Sequence, residues 1–182
     1  MTTAADDHRA TAGRFTGLVR GATDWDAPAP CEGWVARDVV RHLIEWSRGF
    51  VRFGADVELP AGPPVDADPV AAWEAHAGAV QALLDDPATA AVVLRNPNTG
   101  ELPLPAAIAT FYTSDVFLHT WDLARATGQD ERLDQARCAA MLEGMLPMDA
   151  LLRSSGHYGP RVEVPDDADP QTKLLAFIGR RP

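Results

Sequence analysis

The chain has 182 residues, 46% of them hydrophobic and 23% charged, and carries a net charge of −10. That length suits a single domain, 1–182, with a core of its own. The negative charge, unrelieved by any Lys/Arg block, argues against nucleic acid or an anionic membrane as partner; no apolar run nears the roughly 20 residues that cross a bilayer, and the polar opening MTTAADDHRA is no export signal, so the expected location is cytoplasmic.

Thr3 to Arg20 reads as a first helix with Phe15, Leu18 and Val19 on its apolar edge and Gly21 at its end. Pro28, Pro30 and Gly33 force a loop from Ala22 to Gly33, anchored by Trp25 and Trp34. The second helix runs from Val35 to about Phe53; Val35, Val39, His42, Trp46, Gly49 and Phe53 mark one face, with His42 in its middle and Asp38 and Glu45 a turn to either side. A Pro-rich connector, Ala55 to Asp68, leads to Asp68-Pro69, a helix start with Asp as cap and Pro in the first turn. The third helix reaches Leu84. Ala91 to Leu94 and Glu101 to Leu104, around an Asn96–Gly100 turn, predict a small hairpin. Pro105 opens the central helix, which ends on Gly128. Leu133 to Met145 gives a fifth helix, Pro147 to Pro170 wraps the surface, and Gln171 to Ile178 forms a last short helix. Four substantial helices joined by medium connections predict an all-α antiparallel four-helix bundle with a small hairpin and a C-terminal extension.

The polar residues of interest lie on helix faces that should be buried. Asp115 and His119 are four residues apart on the central helix, hence one above the other, among Tyr112, Val116, Leu123 and Ala126. A carboxylate and an imidazole in a core are costly unless paired. His42 on a facing helix completes two imidazoles and one carboxylate. Three such ligands leave a position open for water or substrate, the pattern of a catalytic rather than a structural zinc. Ligand type does not choose among Zn, Ni, Fe and Mn. The alternative is a hydrogen-bonded cluster without metal, in which the three side chains pair among themselves. Cys31 and Cys138 lack CxxC spacing and are expected reduced, with Cys31 a small buried residue supporting the Trp34 loop. Asp122 reads as a partner of Arg125 or Arg37, or as an acceptor fixing an imidazole. Glu45 reads as solvated, Trp46 and Trp121 as core or interface, and Tyr112 as a lining of the pocket mouth. His8, His76 and His157 show no partner pattern.

Pro30-Cys31-Glu32-Gly33-Trp34, followed by Arg37-Asp38-Val39-Val40 and His42-Leu43, resembles the PCxGWxxRDxxxHL signature of the DinB-like metal-binding bundles. The closer resemblance is to the N-terminal domain of mycothiol-dependent maleylpyruvate isomerase and its actinobacterial relatives. HTWDLARATG, within Asp115–Gly128, is similar to the second signature of that group, and the tail from Gly156 is similar to the close of its single-domain branch. The resemblance implies a divalent metal, usually zinc, held by His42, Asp115 and His119. It also implies a low-molecular-weight thiol, mycothiol, as cosubstrate, and a thiol transferase or isomerase acting on a small electrophile. The alternative is a non-catalytic metal-binding module that forms a homodimer through its apolar loop. The sequence departs from the isomerase in carrying Asp115 where that enzyme has Glu, and Val35 where Ser or Thr would cap the second helix. The isomerase also has a second domain, and none is expected within residues 1–182.

Overall fold

The computed structural model describes residues 2–97, 100–154, 156 and 158–182; His157 and the two residues at the tip of the expected hairpin turn lie outside the described residues. Helix α1 (Ala4–Gly21) begins where the Thr3 hydroxyl accepts the Asp6 N–H at 3.1 Å, and Asp6 and Asp7 oppose the positive helix end. Helix α2 (Ala36–Ala55) has no side-chain oxygen at Val35, but the Asp38 carboxylate accepts the Val35 N–H at 3.0 Å, so the reciprocal half of a capping box survives. Helix α3 (Pro69–Asp85) is capped by Asp68, as its Asp-Pro start predicts. A 3-10 turn (Pro87–Ala91) leads to the hairpin, β1 (Val93–Asn96) and β2 (Gly100–Pro103), paired antiparallel from Val93↔Pro103 to Asn96↔Gly100.

The central helix is not uniform. A first turn α4 (Leu104–Ala107) passes into a π-helical stretch (Ile108–Thr113) and then into α5 (Ser114–Ala126). Such wide turns recur beside functional sites, and this one immediately precedes Asp115. Helix α1 packs on α3 and α5, and α2 packs on both as well. Phe15, Leu43, Trp73, Leu94 and Leu104 are fully buried between them. The result is the expected all-α bundle with a small hairpin.

The C-terminal extension is more ordered than a surface wrap. Helices α6 (Gln135–Met145), α7 (Asp149–Ser154) and α8 (Pro170–Phe177) form a further layer in which α6 packs on α8. A second core lies here, with Phe117, Leu118 and Trp121 of α5 meeting Leu133, Cys138, Leu174, Leu175 and Phe177. Val116, Leu123 and Ala124 of the same helix face the first core. Asp115, His119 and Asp122 therefore run along the seam between the two cores. Among the described residues, no helix is long and apolar enough to cross a membrane.

Two expectations about buried faces change. The buried side of α2 is Ala36, Val39, Val40, Leu43, Ser47 and Val51, so His42 lies at its margin rather than its middle, and Phe53 is 87% exposed. Tyr112 is buried in the first core instead of lining a mouth, stacked on His8 at 5.8 Å and edge-to-face with His76 at 5.6 Å. Both histidines have partners that lie far away in sequence: His8 Nδ1 meets Gln81 Oε1 at 2.8 Å, and His76 Nε2 meets Ser47 Oγ at 2.9 Å.

Candidate metal centre

The loop before α2 is built by its glycine and prolines. Trp34 N–H donates to Cys31 C=O at 3.0 Å across a tight turn, and Gly33 takes φ +77° inside it, where a side chain is disfavoured. Ala36 and Arg37 N–H groups tie the loop's far side to Ala27 and Trp25 carbonyls, and Arg37 pairs with Asp26 at 2.8 Å. The turn sets the Trp34 ring 5.0 Å from His42 and 5.9 Å from His119, almost parallel to the latter at 15°. The PCEGW motif thus forms one wall of the site.

The three residues singled out by spacing meet. His42 Nε2 lies 3.2 Å from Asp115 Oδ2, and His119 Nε2 lies 3.6 Å from Asp115 Oδ1. One donor atom from each of the three lies within 4.8 Å of the others, a group that could hold a metal ion. The set is graded in exposure: the side chains are 33% exposed at His42, 22% at Asp115 and 6% at His119. It opens on the His42 side and is closed behind His119. Trp46 contributes more than bulk, because its Nε1–H donates to Asp115 Oδ2 at 2.9 Å. Asp38 is engaged instead by Arg41 and the Val35 N–H, and Glu45 is solvent-exposed.

Behind His119 the structure corrects the pairing expected for Asp122. That carboxylate contacts neither Arg125 nor Arg37. Its Oδ2 lies 2.8 Å from His119 Nδ1, close enough for an ion pair but off the line of an N–H hydrogen bond. Arg180, from the C-terminal tail, donates Nε–H to Oδ1 at 2.8 Å and Nη2–H to Oδ2 at 2.9 Å. Cys31 is half-buried and free, and its S–H donates to Asp122 Oδ2 at 3.5 Å. Arg125 instead pairs with Glu131 and lies 4.6 Å over the Trp121 ring.

The electrostatics follow from one imidazole between two carboxylates. Burial alone would depress the His119 pKa; the Asp115 charge and the contact with Asp122 outweigh it and push it up to about 10. Burial likewise raises both carboxyls, and their partners outweigh it. His119 and His42 hold Asp115 below the usual carboxylate range, and His119 with Arg180 holds Asp122 at about 2. Arg180 and the donor role of Trp46 were not foreseen. Arg180 carries no periodic signal, since it reaches Asp122 across 58 residues.

The profile of the mycothiol maleylpyruvate isomerase N-terminal domain matches residues 8–124, which include His42, Asp115 and His119. Uncharacterized proteins of Mycobacterium tuberculosis strains CDC 1551 and H37Rv are each 30% identical over 156 residues, covering 84% of this chain and 83% of theirs. No solved structure matches. The chain belongs to the mycothiol maleylpyruvate isomerase N-terminal domain family.

Proposed function

We propose that the chain binds one divalent metal ion, zinc by the family resemblance, through His42, Asp115 and His119, and presents it to a low-molecular-weight thiol for reaction with a small electrophile. The observation that carries this reading is the spacing of the donor atoms. Ligands at 2.0–2.1 Å around a tetrahedral ion lie about 3.3 Å apart; His42 Nε2 lies 3.2 Å from Asp115 Oδ2 and His119 Nε2 lies 3.6 Å from Asp115 Oδ1, and one donor atom from each of the three lies within 4.8 Å of the others. The family supports mycothiol as the thiol.

The chain's residues divide the work. Asp115 supplies the anionic ligand and is aimed by the Trp46 N–H. His119 is held from behind, so its Nε2 faces the site, and the proton that two carboxylates keep on the imidazole is what a cation replaces. His42, at the exposed margin, leaves an approach for a ligand from solvent. The Lewis acidity that a metal would supply there would lower the pKa of an incoming thiol and favour its thiolate at neutral pH. The reaction class is thiol transfer or thiol-assisted isomerisation.

The test is a cobalt-substituted protein titrated with mycothiol. A thiolate-to-cobalt absorption band that appears in wild type and is lost with His42→Ala supports the reading. Cobalt bound through the three residues but indifferent to thiol contradicts the thiol assignment and leaves a non-catalytic metal-binding module.

A further inference from the structure

Among the described residues, donor atoms around His119 form two triangles. His42, Asp115 and His119 make the first; Cys31, His119 and Asp122 make the second, and its donor atoms also lie within 4.8 Å of one another. They use opposite nitrogens of the shared ring: Nε2 faces Asp115 at 3.6 Å and Nδ1 faces Asp122 at 2.8 Å. By ligand chemistry the second triangle should attract soft and borderline metals well, since it holds a sulfur.

We infer that Arg180 is the residue that selects between the two, closing the Cys31–His119–Asp122 triangle to metal and leaving the Nε2 side of His119 as the metal position. This rests on the reading of His42, Asp115 and His119 as ligands and adds the device that enforces it. The guanidinium fork takes both oxygens of Asp122, at 2.8 and 2.9 Å. A metal ion drawn to Asp122 would have to displace a permanently charged group from a carboxylate whose side chain is only 1% exposed. The fork also leaves Asp122 Oδ2 shared by His119 and Cys31, which holds the imidazole from behind.

The arginine is delivered by rigid backbone. Gly179 takes φ +91° and its Cα-side lies so close to Gly159 that a Cβ would come within 2.8 Å of the Gly159 Cα. Arg180 N–H donates to Leu175 C=O at 2.8 Å, and Ile178, two residues before it, is 2% exposed. Residues 125–182 lie beyond the span matched by the family profile, and Arg180 is supplied from this C-terminal stretch. Arg180 is a positioning and specificity-determining residue, not a catalytic one.

Cadmium titration of metal-free protein tests this, reading bound equivalents and the ultraviolet thiolate-to-cadmium band. Wild type and Arg180→Lys, which keeps the charge, should bind one equivalent without a thiolate band. Arg180→Gln, which keeps a donor to Asp122 but loses the charge, and Arg180→Ala should gain the band, and adding Cys31→Ser should abolish it. Wild type that already shows the band, or folded neutral variants that bind as wild type does, overturns the inference. If both neutral variants unfold, the wild-type spectrum decides: one equivalent without the band supports selection, and the band overturns it. Wild type that binds no cadmium overturns the ligand set itself and this inference with it, an outcome distinct from failure of the selector alone.

Discussion

Trp34 lies face to face with His119, their rings 15° from parallel with centroids 5.9 Å apart. The contact exists because Gly33 turns the chain at φ +77° immediately before the tryptophan. Gly33→Ala meets no atom within 4 Å, so its cost is the backbone conformation alone, about 1–2 kcal/mol. The expected outcome is a fall in melting temperature of a few degrees, about 2–4 °C per kcal/mol for a chain of this size, with altered tryptophan fluorescence. An unchanged melting temperature would show that the turn does not need glycine.

Gly179→Ala should cost more than Gly33→Ala. Both positions have positive φ, but only at Gly179 does the added Cβ also run into backbone, that of Gly159. The new contact should push Arg180 away from Asp122, so stability should fall and zinc should gain access to the Cys31–His119–Asp122 triangle, which raises the zinc bound per chain. Parallel thermal melts and zinc competition assays read both effects; equal melting temperatures for the two variants would contradict the packing described for the tail.

Trp46→Phe keeps an aromatic ring and removes the N–H that holds Asp115 Oδ2 at 2.9 Å. Groups that orient a metal ligand typically account for about 10- to 100-fold in affinity. A zinc affinity weaker by about tenfold, with the fold intact by circular dichroism, is expected. Unchanged affinity would mean that Asp115 needs no such support.

Acid should destabilise the first core through His76. Burial, with Arg48 and His8 adding to it, lowers its pKa from 6.5 to about 3, and burial also lowers that of His8. Between those limits the unfolded chain binds protons that the folded chain refuses, so stability drops as pH falls, by up to about 1.4 kcal/mol per pH unit for one such group. His119, with a raised pKa, is protonated in the fold throughout this range and its contribution is lost only at alkaline pH; Asp115 and Asp122 lose theirs only below the ordinary carboxylate range. Urea denaturation of metal-free protein at pH 6.5 and 4.5 should therefore show a loss that His76→Asn reduces. An equal loss in the variant would contradict the assignment.

What the sequence made legible was local or periodic. Asp68 caps the third helix through a contact within three residues, and Asp115 and His119 share a face by helix geometry alone. His42 is marked by its place on a helix face with apolar neighbours, and the family motif includes it. The features that escaped depend on tertiary contact. The apolar stripe on α2 could not show that its buried side is centred on Val40, Leu43 and Ser47, which leaves Phe53 in solvent and His42 at the rim. Nor does helical periodicity separate a π turn from an α turn over six residues. Asp122 has arginines nearby in sequence, yet its partner is Arg180, brought by the folding of the last layer onto α5.

The central claim is that His42, Asp115 and His119 hold a metal ion. It is tested most directly by plasma mass spectrometry of untagged, dialysed protein beside a His42→Ala/His119→Ala variant. The account predicts one equivalent of zinc or another divalent transition metal per chain in wild type and loss of that metal in the variant. Wild-type protein that carries no metal and takes up none on titration with zinc, nickel or iron would contradict it, and the three side chains would then be a hydrogen-bonded cluster at the seam of two cores.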